Sequence, residues 1–461
     1  MALVDCTIDG NISYGVVQPG QHVNDGVPII RVNNVNNDQL QLTEVLRVAP
    51  EIEEKYKRTR LKGGEVLLTL VGSTGQSFVA PKELAGWNVP RAIAVIRPKD
   101  SVGADWINIC LQSKHVQHFL DVRANTTVQK TLNLKDVRDI PIPIPPKPIK
   151  EHIESIAVNL QHKLELNRQL NQTLEQIAQA IFKSWFVDFD PVKAKIKAKQ
   201  NGQDPERAAM RAISGKSDEQ LDTWLATATP NQIKQLTVIA SLFPDNLQES
   251  DMGNIPEGWM TKPLYDIATY INGAAYRSFK PNDEQRGLPI IKIAELKAGV
   301  TAQTKYSDVE MPEKYRLTRG DILFSWSGNP DTSIDTFIWT HGAAWLNQHI
   351  FKVVPHNDIE RSFVLVMLKL LRPVFAEIAR NKQTTGLGHV TVADLKHLRC
   401  VMPPKPMLSR WNDDIVPILE RAFNAELEIQ ALTNLRNTLL PKLLSGEINL
   451  SETQSESEAV A

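Results

Sequence analysis

The chain has 461 residues, 42% hydrophobic and 23% charged, with a formal net charge of −1, which suits a globular protein of two or three cored domains and excludes fibrous or wholly disordered classes. No apolar run reaches the roughly 18 residues that a membrane span needs, since the best, from Phe363, carries Lys369. The opening MALVDCTIDG has no secretion signal, and Cys6, Cys110 and Cys400 have no metal-ligand spacing, so a cytoplasmic setting is expected.

Residues 1 to about 148 read as mostly β with some helix. VPIIRV (27–32) follows the turn signal Asn24-Asp25-Gly26 and reads as a short buried strand. A second strand, 65–71, lies between Gly63-Gly64 and Gly72-Ser73-Thr74-Gly75, and a third, 92–96, stops at Pro98. Asp105 to Val122 has helical spacing, with Ile109, Val116, Phe119 and Leu120 on one side.

From Ile153 the pattern becomes heptad. Ile153, Ile156, Leu160, Leu170, Leu174, Ile177 and Ile181 fall on alternating steps of three and four, with Lys163 and Asn167 in the polar slots. Such a seam predicts a coiled coil, in which polar slots set register or partner choice; the alternative is an amphipathic helix on a globular core. The segment KSWFVDFDP (183–191) ends the helix at Asp190-Pro191. Beyond it, Lys193, Lys195, Lys197 and Lys199 alternate with apolar residues and lead into a polar stretch. These lysines read either as phosphate contacts or as solvated, snorkelling side chains of a bridge.

The second half repeats the first. Thr126-Thr127, Asp136, Pro145-Pro146-Lys147-Pro148 and Leu174 return as Thr384-Thr385, Asp394, Pro403-Pro404-Lys405-Pro406 and Leu432, at a constant offset of 258 (394 − 136). GLPIIKI repeats GVPIIRV, and RGDILFSWSG repeats GGEVLLTLVG, at offsets of 261 (289 − 28) and 256 (322 − 66). At offset 258, Trp345 answers Trp87 and His349 answers Arg91. Kept elements with varied loops are what two binding modules of different specificity should show. A second seam carries Trp411, Ile415, Ile418, Ala422, Ala425, Ile429, Leu432, Leu439 and Leu443, broken by Arg436 and capped at Gly446.

The sequence holds no Walker-type phosphate loop, no HExxH, no Cys/His cluster and no GxSxG. Its histidines, among them His22, His115, His118, His341 and His397, are scattered, as surface or supporting residues are. No catalytic, cofactor-binding or metal-binding residue is predicted.

TLNLKDVRDIPIPIPP leading into a heptad helix, IFKSWFVDFDPVKAK after it, LFPD and then IPEGW before the second copy, and the closing LLPKLLSGEI together resemble the specificity (S) subunit of type I restriction-modification systems. The resemblance covers nearly the whole chain. It departs from the family after the double prolines, where a Glu-Gln pair is usual and Lys150-Glu151-His152 and Leu408-Ser409-Arg410 stand instead. The first copy also lacks the Pro-Glu-Gly-Trp segment seen at Pro256 to Trp259.

The resemblance implies an α/β (α+β) fold class: two similar target-recognition domains in tandem, each followed by a long helix, the two helices pairing as an antiparallel coiled coil. The expected division is a first target-recognition domain at 1–148, a central spacer helix at 149–190, a connector at 191–250, a second recognition domain at 251–406, a C-terminal spacer helix at 407–446 and a polar tail at 447–461. It further implies a non-catalytic subunit that binds double-stranded DNA at a bipartite, asymmetric target. Two methyltransferase (modification) subunits and restriction (motor/nuclease) subunits are the implied partners, and S-adenosylmethionine, ATP and Mg would reside on those partners, none on this chain. A spacer helix of about 37 residues at ~1.5 Å each would be roughly 55 Å long, enough for half-sites about one DNA turn or more apart.

Arg, Lys, Asn and Gln can address base edges or phosphates. Candidates for DNA contact are Arg31, Gln76, Arg91, Arg123, Thr126 and Lys130 in the first module, and Lys292, Asn347, His349, Lys382 and Thr384 in the second. Helix pairing is assigned to Ile153, Ile156, Leu160, Leu170, Leu174, Ile177, Ile181, Ile415, Ile418, Ile429, Leu432 and Leu439. A coiled-coil adaptor that binds only protein is the competing reading, which the near-zero net charge leaves open. A single-chain restriction-methylation enzyme would need motifs that the sequence lacks.

Overall fold

The computed structural model describes residues 1–36, 39–40, 42, 45–124, 130–383 and 386–448, so Thr126, Thr384 and most of the polar tail lie outside the described residues. The chain forms two compact units: Met1–Leu166 with Gln430–Ala461, and Asn167–Ile429. Each unit holds one module and a segment of each long helix.

In the first module β1 (Thr7–Tyr14), β2 (Val27–Ile29), β3 (Val66–Thr69), β4 (Ser77–Val79) and β5 (Ile93–Pro98) precede α1 (Ala104–Gln112) and α2 (Lys114–Arg123). β3 is buried at all four positions, which is why VLLT reads as an unbroken apolar run. It lies second from the edge of an antiparallel sheet of order β1-β5-β3-β4. Gly64 and Gly72, at φ 89° and 81°, mark the turns on either side. The single helix expected over 105–122 is two, because Ser113 adopts an extended backbone and its Oγ accepts the Val116 N–H, capping α2. The module's core joins Leu3, Ile12, Val66, Ile96, Trp106, Ile107 and Leu111 to Ile153 and Leu443 of the long helices.

The first long helix, α3, spans Lys147–Phe186. The 191–250 bridge is built of short helices and a hairpin. It forms α4 (Asp190–Gln200), α5 (Pro205–Ser214), α6 (Asp218–Thr227) and α7 (Pro230–Leu242), then the hairpin of β6 (Leu247–Ser250) and β7 (Gly253–Pro256). Its helices have their own small core of Ala209, Met210, Leu221, Leu236 and Ala240. Lys195 is buried; its Nζ donates to Glu206 Oε1 at 2.6 Å and to the Phe243 carbonyl at 2.8 Å. Lys199 pairs with Asp245. The alternating lysines therefore split into a structural pair and the exposed Lys193 and Lys197, and Lys195 cannot reach a phosphate.

The second module repeats the first. β8 (Ala268–Asn272), β9 (Leu288–Ile291), β10 (Ile322–Ser325), β11 (Ser327–Gly328), β12 (Asp335–Ile338), β13 (Ala344–Leu346) and β14 (Ile350–Pro355) lead into α8 (Asp358–Leu370), α9 (Arg372–Asn381) and β15 (Gly388–His389). Its main sheet, β8-β14-β10-β12, has the order and antiparallel sense of the first. An aromatic knot anchors it to both long helices. Phe182, Trp185 and Phe186 of α3 and Trp411 of α10 (Lys405–Ser445) have ring centroids 5.0–6.1 Å apart, with Phe363 and Trp259 packed onto them.

The two helices run antiparallel within the second unit, where Asn167 Nδ2 donates to Glu428 Oε2 at 2.9 Å and Asn171 Nδ2 to Glu426 Oε2 at 3.1 Å. In the first unit, Arg436, the predicted break in the second seam, donates to Gln161 Oε1 at 3.1 Å. Along α10, Trp411, Ile415, Ala425 and Leu443 are buried, and Ile418, Ala422, Ile429, Leu432 and Leu439 are half-buried. The α3 seam needs correction. Ile177 is 41% exposed and the polar slot Lys163 is also exposed; the other polar slot, Asn167, is buried, and so are Ala157, Leu164 and Ala178 outside the predicted seam. The true register steps through 153, 157, 160, 164, 167, 171, 174 and 178. Large aliphatics at 156, 170 and 177 drew the predicted stripe one position aside, because small alanines and asparagines in the real seam carry little hydropathy.

Candidate nucleic-acid interface

In each module a backbone ladder forms where the second-from-edge strand leaves the sheet. In the first, the Leu70 N–H donates to the Ala92 carbonyl, the Leu132 N–H to the Leu70 carbonyl, and Val71 bridges Thr131. In the second, the Trp326 N–H donates to the His349 carbonyl, the Val390 N–H to the Trp326 carbonyl, and Ser327 pairs with His389. One backbone ladder is thus used twice, and its hydrogen bonds fix which residues correspond.

That correspondence overturns two pairings read from a constant offset. Ile29 bridges Asn88 as Ile290 pairs with Trp345, so Trp345 stands in the place of Asn88, one position on from Trp87. By the same ladder His349 stands in the place of Ala92, and Gln348 in that of Arg91: the Arg91 N–H donates to Val16 as the Gln348 N–H donates to Ala274. The offset here is 257 (353 − 96), as the strand pairs Val66–Ile96 and Ile322–Val353 require.

A glycine makes the crossing possible in both modules. A Cβ on Gly15 would stand 1.7 Å from the Val89 carbonyl oxygen, and one on Gly273 2.0 Å from that of Asn347. Only a residue without a side chain lets the strand segments pass so closely, and these segments present Arg91, Asn347 and His349.

Arg91 is exposed. Gln76 closes the β3–β4 turn, where its carbonyl accepts the Thr69 N–H and its own N–H donates to Thr69 Oγ1, and its Oε1 is buried without a partner among the described residues. Lys130, whose carbonyl accepts the Gly72 N–H, is paired with Asp121. Arg123 lies 3.6 Å over the Phe119 ring. Arg31 follows Ile30, which donates to the Asn88 carbonyl, placing it beside the same strands. Arg31, Gln76, Arg91 and Lys130 are therefore drawn to one end of the sheet, with Arg123 on the adjoining helix α2.

The second module differs in chemistry. Lys382 is spent on an ion pair with Asp394, whose capping box with Thr391 starts the short helix Val392–His397. Lys292 stands 5.5 Å over the Tyr276 ring. Asn347 is 4% exposed, with its Nδ2 unpartnered among the described residues. His349 is held at φ 76°, a left-handed backbone that costs a non-glycine residue about 1 kcal/mol or more, and its Nδ1 has no partner among the described residues. Burial, and after it the nearby His389, hold the His349 imidazole below its ordinary pKa.

Sequence reasoning missed Trp326, Ser327 and His389. The Trp326 ring lies 5.2 Å from His349 and 6.0 Å from His389. Its Nε1 donates to Asn272 Oδ1 at 3.1 Å, and Ser327 Oγ shares a 2.8 Å hydrogen bond with His389 Nδ1. Aligning the copies by strand rather than by one offset would have set this group against Leu70, Val71 and Thr131.

Among the described residues, no three His, Cys, Asp or Glu side chains are placed to hold a metal ion. The three thiols are free and buried, and burial pushes those of Cys110 and Cys400 up to about 12, which makes them poor nucleophiles. No helix among the described residues is long and apolar enough to cross a membrane.

Comparison with known proteins agrees with this duplicated layout. A family model described as the type I restriction modification DNA specificity domain matches twice, at residues 20–176 and 256–437. The HindI type I restriction enzyme specificity subunit of Haemophilus influenzae is 29% identical over 440 residues, covering 92% of this chain and 94% of that one. The MjaIX specificity subunit of Methanocaldococcus jannaschii is 23% identical over 394 residues, covering 84% and 78%. The crystal structure of a type I system S subunit from M. genitalium aligns with a TM-score of 0.47 at 12% identity, over 96% of this chain and 95% of that one.

Proposed function

This chain belongs to the type I restriction modification DNA specificity family, and on that premise we propose that its two modules each read one half of a bipartite, asymmetric DNA target. The observation that carries the reading is the repeated ladder. The scaffold is held to the hydrogen bond, from Leu70–Ala92 to Trp326–His349, while the side chains mounted on it differ. Two unlike surfaces on one scaffold call for two unlike half-sites.

The chain contributes recognition and not chemistry. Methylation and cleavage belong to two methyltransferase subunits and to restriction subunits in the same cytoplasmic complex, where S-adenosylmethionine, ATP and Mg reside. The paired helices α3 and α10 space the modules and dock the methyltransferase subunits. Arg31, Gln76, Arg91, Arg123, Thr126 and Lys130, with Lys292, Asn347, His349, Lys382 and Thr384, supply the contacts to double-stranded DNA. Those already in ion pairs, Lys130, Lys292 and Lys382, serve phosphate contact only after exchanging partners.

Methylome sequencing of cells carrying this chain and its methyltransferase tests the reading. A gapped, two-part methylated motif should be present and should vanish when the chain is deleted. Methylation unchanged by the deletion contradicts it.

A further inference from the structure

Two features of the second module, a polar and aromatic group on the ladder and a left-handed residue within it, have no counterpart in the first. Where the first module places Leu70, Ala92, Val71 and Thr131, the second places Trp326, His349, Ser327 and His389 on the same hydrogen-bond ladder. Leu70 is buried in the first module's apolar core, whereas Trp326 is half-buried; His349 and His389 are half-buried like Ala92 and Thr131, and put imidazoles where those carry a methyl and a hydroxyl.

Two further observations point to a ligand. His349 is in a left-handed conformation that its equivalent Ala92 does not share, and such strain persists where surrounding structure enforces it for use. Two polar atoms at the site are also buried without partners among the described residues, Asn347 Nδ2 and His349 Nδ1, and Asn347 is 4% exposed. Buried polar atoms in native proteins are nearly always satisfied, so these are poised for a partner from outside the chain. The charged side chains on adjoining segments are matched to each other, Arg380 with Asp331 and Lys382 with Asp394. They leave the imidazoles, the indole face and the amide as the groups on offer.

We propose that Trp326, His349 and His389, backed by Asn347, form a base-reading contact of the second module with no equivalent in the first. The inference rests on the DNA-specificity reading above. An imidazole ring nitrogen and an asparagine amide suit the acceptor and donor atoms of a base edge, and an indole face suits a base or a thymine methyl. Ser327 is a positioning residue here, since its hydroxyl touches His389 Nδ1 and orients that ring. The first module, lacking this group, reads its half-site through Arg31, Gln76 and Arg91 instead.

The test uses the full chain and a pool of randomised duplex DNA, sequenced after rounds of binding. Variants are His349→Gly, His389→Gln and the graft Trp326→Leu with His389→Thr, which installs the first module's residues. Glycine at 349 relieves the left-handed backbone, so a purely structural histidine would be improved by it. The proposal expects His349→Gly to keep or raise the thermal midpoint and yet to lose about ten-fold or more of the discrimination at one or two positions of one half-site. His389→Gln and the graft should lose selection in the same half, with the other half unchanged. Variants that enrich the wild-type motif with undiminished discrimination overturn the proposal, as does an equal loss in both halves. A wild-type chain that enriches no sequence overturns the specificity reading itself, and this contact with it.

Discussion

Replacing Trp411 separates the two things a buried tryptophan can do. Its side chain is fully buried against Phe182, Trp185 and Phe186, at centroid distances of 5.4, 6.0 and 5.2 Å, and its Nε1 is buried with no acceptor among the described residues. Trp411→Ala opens a cavity at the start of α10, and large aromatic-to-alanine changes in cores cost about 3–5 kcal/mol. The orphaned N–H acts the other way, since an unsatisfied buried donor costs the native state about 1–3 kcal/mol. Trp411→Phe removes that donor and leaves only a small cavity of about 1–2 kcal/mol. The two effects nearly cancel, and Trp411→Phe should lie within about 1 kcal/mol of the wild type. Hydrogen exchange of peptides covering 363–368, the most buried stretch of α8, reports the stability of this unit directly. If Trp411→Phe loses as much protection as Trp411→Ala, the indole N–H has a partner after all and the reasoning fails.

The seam offers a pH-dependent test. Burial raises the pKa of Glu426 despite the hydrogen bond from Asn171. A folded state that holds this proton more tightly than the unfolded chain is favoured at low pH, and the advantage is lost as pH rises from about 4.5 through the folded value. Glu426→Gln keeps an acceptor for Asn171, so it should raise the melting temperature at pH 7, with the gain shrinking towards pH 4.5; a pH-independent difference counts against it. Gly273→Ala forces a Cβ into the Asn347 and Leu346 carbonyls, at 2.0 and 2.7 Å, and should cost about 3 kcal/mol or more. It should also weaken DNA binding through the second half-site only, measured by fluorescence anisotropy on duplexes with either half scrambled. Asn167→Leu removes the hydrogen bond to Glu428. Because buried polar residues at such positions specify register more than stability, the melting temperature should hold or rise while disulfide cross-linking of paired cysteines placed along α3 and α10 reveals shifted pairings. A single retained pairing contradicts a register role.

Much of this protein was legible because it is written twice. The proline brackets, the α10 seam and the buried strand VLLT are encoded by local apolar pattern and helix-stopping residues, which act over a few positions. The α3 seam was misplaced for a local reason too: Ala157, Asn171 and Ala178 pack by being small or hydrogen-bonded, and periodicity weighs only large apolar side chains. The four-helix bridge escaped notice because its core is five residues wide and its helix starts are set by caps at Asp204, Ser217 and Thr229 within polar sequence. The second module's polar cluster was illegible for a different reason. Trp326, His349 and His389 are 23 and 40 residues apart in sequence (349 − 326, 389 − 349) and meet only through the ladder. A one-residue slip between strands concealed which first-module residues they replace.

Exchanging the first module tests the central claim most directly. Residues 1–148 would be replaced by the corresponding module of the HindI-type relative, and the methylome of cells carrying the hybrid and the methyltransferase would be sequenced. The account predicts a motif in which one half is new and the other half, read by Trp326, His349 and their neighbours, is unchanged. A motif altered in both halves, or in neither, would contradict the assignment of one half-site to each module.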